Sequence, residues 1–213
     1  IKALILNQEV PKDIVSEIES GFKLLDSKFV AVRSSATAED GAEHAWAGQL
    51  ESYLNVIESG VLDRVKHCWA SLFTPRAIFY RFEKFKTETH LQKISVAVVI
   101  QKMVDSEKSG IAFSVHPVTE DYNQLIIEAG LGLGEAIVSG SITPDSYVVE
   151  KVPRRIIDKN IVIQTRGMFK GETGGSEWYE VPKEHGEPPS LSDEQILELS
   201  ELIKALEEKF GVS

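Results

Sequence analysis

The sequence predicts an α+β fold, with mixed sheets and flanking helices. Short runs rich in β-branched residues fill the middle of the chain, and helical spacing appears on either side of them. The glycine-rich turn at Gly130–Gly134 lacks the full dinucleotide fingerprint and sits in nothing like a βαβ unit, so it is a weak signal for dinucleotide binding.

In chain order, residues 11–25 place Ile14, Val15, Ile18, Phe22 and Leu25 on one helical face. Lys28 to Arg33 reads as a strand, with Phe29, Val30 and Val32 supplying bulk. Ser34 to Gly48 turns small and polar and is expected to be a long loop. Tyr53 to Val56 resumes strand character. Helices are predicted over 59–72 and 75–86, with Pro75 suited to a first helical turn. Ile94 to Ile100 is apolar nearly throughout, which predicts a central strand buried on both faces. Further strands are expected at Gly110–Val115 and Gln124–Glu128. A hairpin is expected from Tyr147–Lys151 and Ile156–Gln164. Residues 165–176 hold four glycines and read as a mobile loop. Ser192 and Gln195 form a capping box. Ile196, Leu199, Leu202, Ile203, Leu206 and Phe210 then make the apolar stripe of a helix that Gly211 stops.

Bulk properties narrow the function. A net charge of −10 argues against nonspecific affinity for nucleic acid or anionic membrane. The single cysteine, Cys68, permits neither an intrachain disulfide nor a thiolate cluster, and its apolar helical setting beside Trp69 predicts a buried, inert thiol. No apolar run approaches the roughly 20 residues that a membrane-spanning helix needs, so a cytoplasmic protein is expected. The chain begins at Ile1 rather than methionine and is expected to be a piece of a longer protein.

The segment Val30 to Val56 carries the chemistry. A strand delivers Arg33 to the mouth of a stretch holding Ser34, Ser35, Thr37 and Gly48. Small residues let backbone N–H groups approach phosphate oxygens, hydroxyls add donors, and Arg33 offers a planar charge for bidentate contact. The glycine-lysine-serine/threonine run of a Walker loop is missing, which disfavours a P-loop enzyme. On composition alone the same segment also reads as an ordinary surface connection. Arg76 and Arg81 are secondary candidates for phosphate contact, and Asp145, after a proline, reads equally as a turn-former.

The segment resembles the ATP-binding domain of the pyruvate phosphate dikinase and phosphoenolpyruvate synthase family. There, arginine-serine-serine-alanine-threonine-alanine-glutamate-aspartate precedes alanine-glycine-glutamine, as in Arg33 to Asp40 and Ala47 to Gln49. Four more blocks follow in order: Cys68 to Arg81, Val98 to Val104, Ser109 to Thr119 and Gly130 to Lys151. The sequence departs from the family at Gly41 to His44, in place of the common leucine-proline, and at Trp46, in place of phenylalanine.

The resemblance implies an ATP-grasp-like fold of two subdomains, at about 1–100 and 101–213, with ATP between them. It implies that Arg33 and Ser34 meet ATP phosphates, with Arg33 the catalytic residue, and that Thr37 and Gly48 belong to a lid. Gln101, Lys102, Met103 and Val104 would run along the adenine. Glu135, which closes the glycine-rich turn, is a candidate acidic partner for ribose or Mg²⁺. The implied activity is ATP-dependent phosphotransfer to a histidine on another domain and then to pyruvate, with ATP and Mg²⁺ as cofactors. None of the five histidines has the serine-histidine setting that such a step uses. A rifampin-type antibiotic phosphotransferase and a catalytically silent ATP-grasp binding or regulatory module are the alternatives.

Overall fold

A computed structural model describes residues 1–36, 50–84 and 95–211. The chain divides into two compact units, Ile1–Val104 with Gly171–Ser176, and Asp105–Lys170 with Glu177–Ser213.

The first unit opens with helices α1 (Lys2–Asn7) and α2 (Lys12–Leu24), followed by strands β1 (Val30–Ala36) and β2 (Ser52–Val56). After a short 3-10 turn come α3 (Val61–Ser71), α4 (Pro75–Lys84) and β3 (Val96–Lys102). Pro75 opens α4 as expected. Thr74 caps it, its Oγ1 accepting from the Ala77 N–H at 3.3 Å and its carbonyl from Ile78 N–H at 2.9 Å. The sheet order is β2-β1-β3, both neighbours antiparallel to β1. Val30 and Val32, fully buried, pack with Phe22, Val56, Val61, Val65 and Cys68 into the core of this unit.

Two expectations are corrected here. β3 is not central and doubly buried: β1 holds the middle of the three strands, and β3 turns Val98 and Ile100 to the core while Val99 is 48% exposed. An apolar run reports that a strand is buried, but what packs over each face of the sheet decides on how many sides. The expected loop does not begin at Ser34. Ser34, Ser35 and Ala36 continue β1, opposite Val98, Ala97 and Val96. A waiting partner strand overrides the weak β-propensity of serine and alanine.

The second unit carries β4 (Lys108–Phe113), β5 (Gln124–Leu131), α5 (Glu135–Val138), β6 (Asp145–Glu150), β7 (Arg155–Asn160) and β8 (Arg166–Lys170). These are followed by β9 (Ser176–Glu180), α6 (Lys183–Gly186) and α7 (Asp193–Phe210). Strands β4 to β7 form an antiparallel meander in chain order. Leu125, Ile127, Ala129, Tyr147 and Val149 from this sheet bury against Ile196 of α7, with Leu199 and Ile203 packed alongside. The predicted ends of α7 are both present. Ser192 and Gln195 make the reciprocal capping box, and Gly211 closes the helix at φ 67°.

Residues 165–176 are not wholly loop. Residues 166–170 pair as β8 with β9, the Arg166 guanidinium lying 4.5 Å over the Trp178 ring and Phe169 meeting Tyr179 edge-on at 6.1 Å. Gly171, Gly174 and Gly175 lie between the two strands, and Phe169, Trp178 and Tyr179 within them supply β-favouring side chains. Asp145 is likewise more than a turn-former. It is fully buried and accepts from Tyr147 O–H at 3.0 Å, Val162 N–H at 2.9 Å and Ser190 N–H at 2.6 Å. Among the described residues, no helix is long and apolar enough to cross a membrane.

Removing the Asp145 carboxylate strands three donors, two of which, the Tyr147 hydroxyl and the Ser190 N–H, are buried. Asp145→Ala should therefore lower unfolding stability by about 3 kcal/mol in urea titration. Cys68 is buried as expected, and desolvation pushes its thiol from an ordinary 9.0 to about 11. The folded state thus holds this proton after the unfolded state has lost it. The associated stability is intact below about pH 9 and is lost as pH rises through about 11. The urea midpoint of Cys68→Ala should fall less steeply over that window than that of the parent chain.

Candidate functional site

Side chains alternate across a strand, so burying Val30 and Val32 toward the helices obliges Arg33 to the opposite face of the sheet. Arg33 is exposed there. The register fixes its neighbours: Ser52 of β2 on one side and Val99 of β3 on the other. Gln101 lies opposite Ala31, two residues along the same face, and is exposed as well. One face of the first unit therefore presents a guanidinium, an open apolar side chain and a carboxamide close together. Val99 was not singled out from the sequence. The two-residue period counted from Arg33 through the β1–β3 pairing would have found it.

Ser34 takes the other parity. Its N–H and its Oγ both donate to the Glu51 carbonyl, at 3.3 and 2.6 Å. Its hydroxyl is thus committed to β2 rather than presented beside Arg33.

The adenine segment expected at Gln101 to Val104 divides at the end of β3. Lys102 lies opposite Val30, out of phase with Gln101, and its ammonium donates to the Asp26 carbonyl at 3.4 Å. The Met103 N–H donates to the Phe29 carbonyl at 3.1 Å, so this main-chain donor of the segment expected along the adenine is already engaged. Val104 is the first residue past that bond and is 76% exposed. Thr37 and Gly48 lie outside the described residues.

Glu135 belongs to the second unit, where it is the exposed first residue of α5. The turn before it needs its central glycine. Gly132 sits at φ +85°, and a Cβ there would come within 2.1 Å of the Met168 carbonyl oxygen. The Gly132 N–H donates to the Glu107 backbone carbonyl at 2.7 Å, and the Gly132 carbonyl accepts from Ser109 Oγ at 2.7 Å. In the first unit, Arg76 is exposed on α4. Arg81 is partly buried, and that burial lowers its pKa from the ordinary value.

Among the described residues, no group of three or more His, Cys, Asp or Glu is gathered as metal ligands.

Comparison with known proteins bears on these features. The family model described as pyruvate phosphate dikinase, AMP/ATP-binding domain, matches residues 1–213. The probable phosphoenolpyruvate synthase of Methanocaldococcus jannaschii is 43% identical over 99% of this chain and 18% of its own length. The phosphoenolpyruvate synthase of Pyrococcus furiosus is 42% identical over 99% of this chain and 27% of its own. The rifampicin phosphotransferase of Bacillus subtilis is 35% identical over 99% of this chain and 24% of its own. The chain thus spans roughly a fifth to a quarter of the length of these relatives. It belongs to the pyruvate phosphate dikinase AMP/ATP-binding domain family, and its α+β architecture is that of an ATP-grasp-like domain.

Proposed function

We propose that this chain is the ATP-binding part of a longer, phosphoenolpyruvate synthase-like phosphotransferase, and that Arg33 receives the phosphates of Mg-ATP. The observation that carries this reading is the exposed face of the β2-β1-β3 sheet, where Arg33 stands beside Val99 and Gln101. A guanidinium suits phosphate oxygens bidentately, and open apolar side chains suit the face of a purine. Gln101 and Val104 offer the adenine contacts, since Lys102 and the Met103 N–H are engaged with the segment before β1. Mg²⁺ enters in this reading as part of the nucleotide substrate, where it neutralises triphosphate charge.

In the proposed reaction, ATP donates its β-phosphoryl group to a histidine on another domain, and that phosphohistidine passes it to pyruvate. Arg33 contributes position and charge, the two quantities on which phosphoryl transfer depends. Identities of 42–43% to two proteins named phosphoenolpyruvate synthase or probable phosphoenolpyruvate synthase, against 35% to the rifampicin phosphotransferase, favour pyruvate over an antibiotic as acceptor.

Calorimetry with Mg-ATP on the full-length protein tests the reading. Arg33→Ala should weaken binding by about 1.5–3 kcal/mol, the worth of a hydrogen bond to a charged group. Arg33→Lys should recover part of that loss, since a point charge replaces a bidentate fork. Failure of the unaltered protein to bind Mg-ATP would overturn the proposal in favour of a silent binding module.

A further inference from the structure

Behind Arg33, on the opposite side of the sheet, a set of polar groups converges on Glu51. Its backbone carbonyl accepts from the Ser34 N–H at 3.3 Å and from Ser34 Oγ at 2.6 Å. The Cys68 sulfur stands 3.6 Å from that same oxygen and 3.7 Å from the Val32 carbonyl. The Glu51 side chain is held independently. Lys2 Nζ of α1 is 3.7 Å from Oε1, and the Tyr53 hydroxyl donates to Oε2. Tyr53 is itself fixed from α3, with the Arg64 guanidinium 4.8 Å over its ring and the His67 ring edge-on at 6.0 Å. His67 in turn is tied to Asp63, its Nδ1 lying 2.9 Å from that residue's carbonyl and 3.4 Å from its carboxylate.

The arrangement has a consequence for the neighbouring strand. The β1–β2 register shifts between Val30 and Val32, and the paired residues run only to Arg33 and Ser52. Past that point, β1 is held on the β2 side by the two Ser34 bonds to Glu51. Any rotation of Glu51 would move the strand at the residue next to Arg33. A carboxylate gripped by an ammonium and a phenol, each anchored to a different helix, suppresses that rotation.

We propose that Glu51 and Tyr53 are positioning residues, which fix the direction of Arg33 by locking Ser34 to β2. They touch no nucleotide and act through the strand. The effect on ATP rests on the nucleotide reading given above, whereas the locking of Ser34 does not. Both can be measured on the same variants.

Hydrogen exchange at the Ser34 amide, read by NMR without nucleotide, tests the locking directly. Glu51→Ala should speed that exchange about tenfold relative to core amides of β1, as expected when a local opening becomes easier. Tyr53→Phe should act in the same direction, and Glu51→Gln, which still accepts from Tyr53, should restore most of the protection. Calorimetry of the full-length variants then separates positioning from general loosening. Glu51→Ala should weaken Mg-ATP about fivefold, within the range of one hydrogen bond, and leave adenosine affinity unchanged. Unchanged Ser34 exchange in both Glu51→Ala and Tyr53→Phe would overturn the proposal. So would equal weakening of ATP and adenosine, which marks a merely structural role. If the unaltered protein binds no ATP, the nucleotide reading falls, and the Ser34 exchange result alone decides the locking.

Discussion

In β1, Val30 and Val32 have no exposure to solvent, because α2 and α3 close over them with Phe22, Val61, Val65 and Cys68. The next residue, Arg33, must then emerge on the opposite face, since successive strand side chains alternate. A slip of one residue would bury the guanidinium and expose two valines. That exchange forfeits roughly 1.5–3 kcal/mol for each valine and adds the cost of an unpaired buried charge. The placement of Arg33 is therefore held by the hydrophobic core behind it.

The same alternation organises what surrounds Arg33. β3 pairs with β1 residue for residue from Val30–Lys102 to Ala36–Val96, so Val99 and Gln101 fall on the Arg33 face without further instruction. Lys102, out of phase with Gln101, reaches back to Asp26, and Met103 bonds to Phe29. These two bonds tie the end of β3 to the segment that leads into β1. The polar cluster around Glu51 adds a second restraint on the β2 side of the strand. A site for a highly charged ligand benefits from such advance ordering, because less freedom remains to be lost on binding.

How much of this was legible in the sequence followed the range of the interactions involved. The capping box at Ser192 and Gln195 and the stop at Gly211 are local, and α7 could be read end to end. The strand that carries Arg33 was legible because its apolar residues are contiguous. The open side of β3 was not, since burial on one face or two depends on which distant elements pack over the sheet. Asp145 was read as a possible turn residue because its proline is adjacent, whereas its donors at Val162 and Ser190 are distant in sequence. The Glu51 cluster joins Lys2, Ser34, Tyr53 and Cys68, and no spacing rule connects those positions. β8 and β9 were obscured by neighbouring glycines, although Phe169 meets Tyr179 and Arg166 meets Trp178 from one strand to the other.

In the proposed reading, nucleotide meets the Arg33 face of the β2-β1-β3 sheet. NMR of the Arg33 side-chain Nε–H and the amides of Val99 to Val104, followed while Mg-ATP is added to the full-length protein, tests that placement. Saturable shifts are expected at Arg33 Nε, Val99, Gln101 and Val104, with little movement at the core-facing Val98 and Ile100. Saturable shifts elsewhere in the chain, with Arg33 Nε and Val99 unmoved, would contradict it.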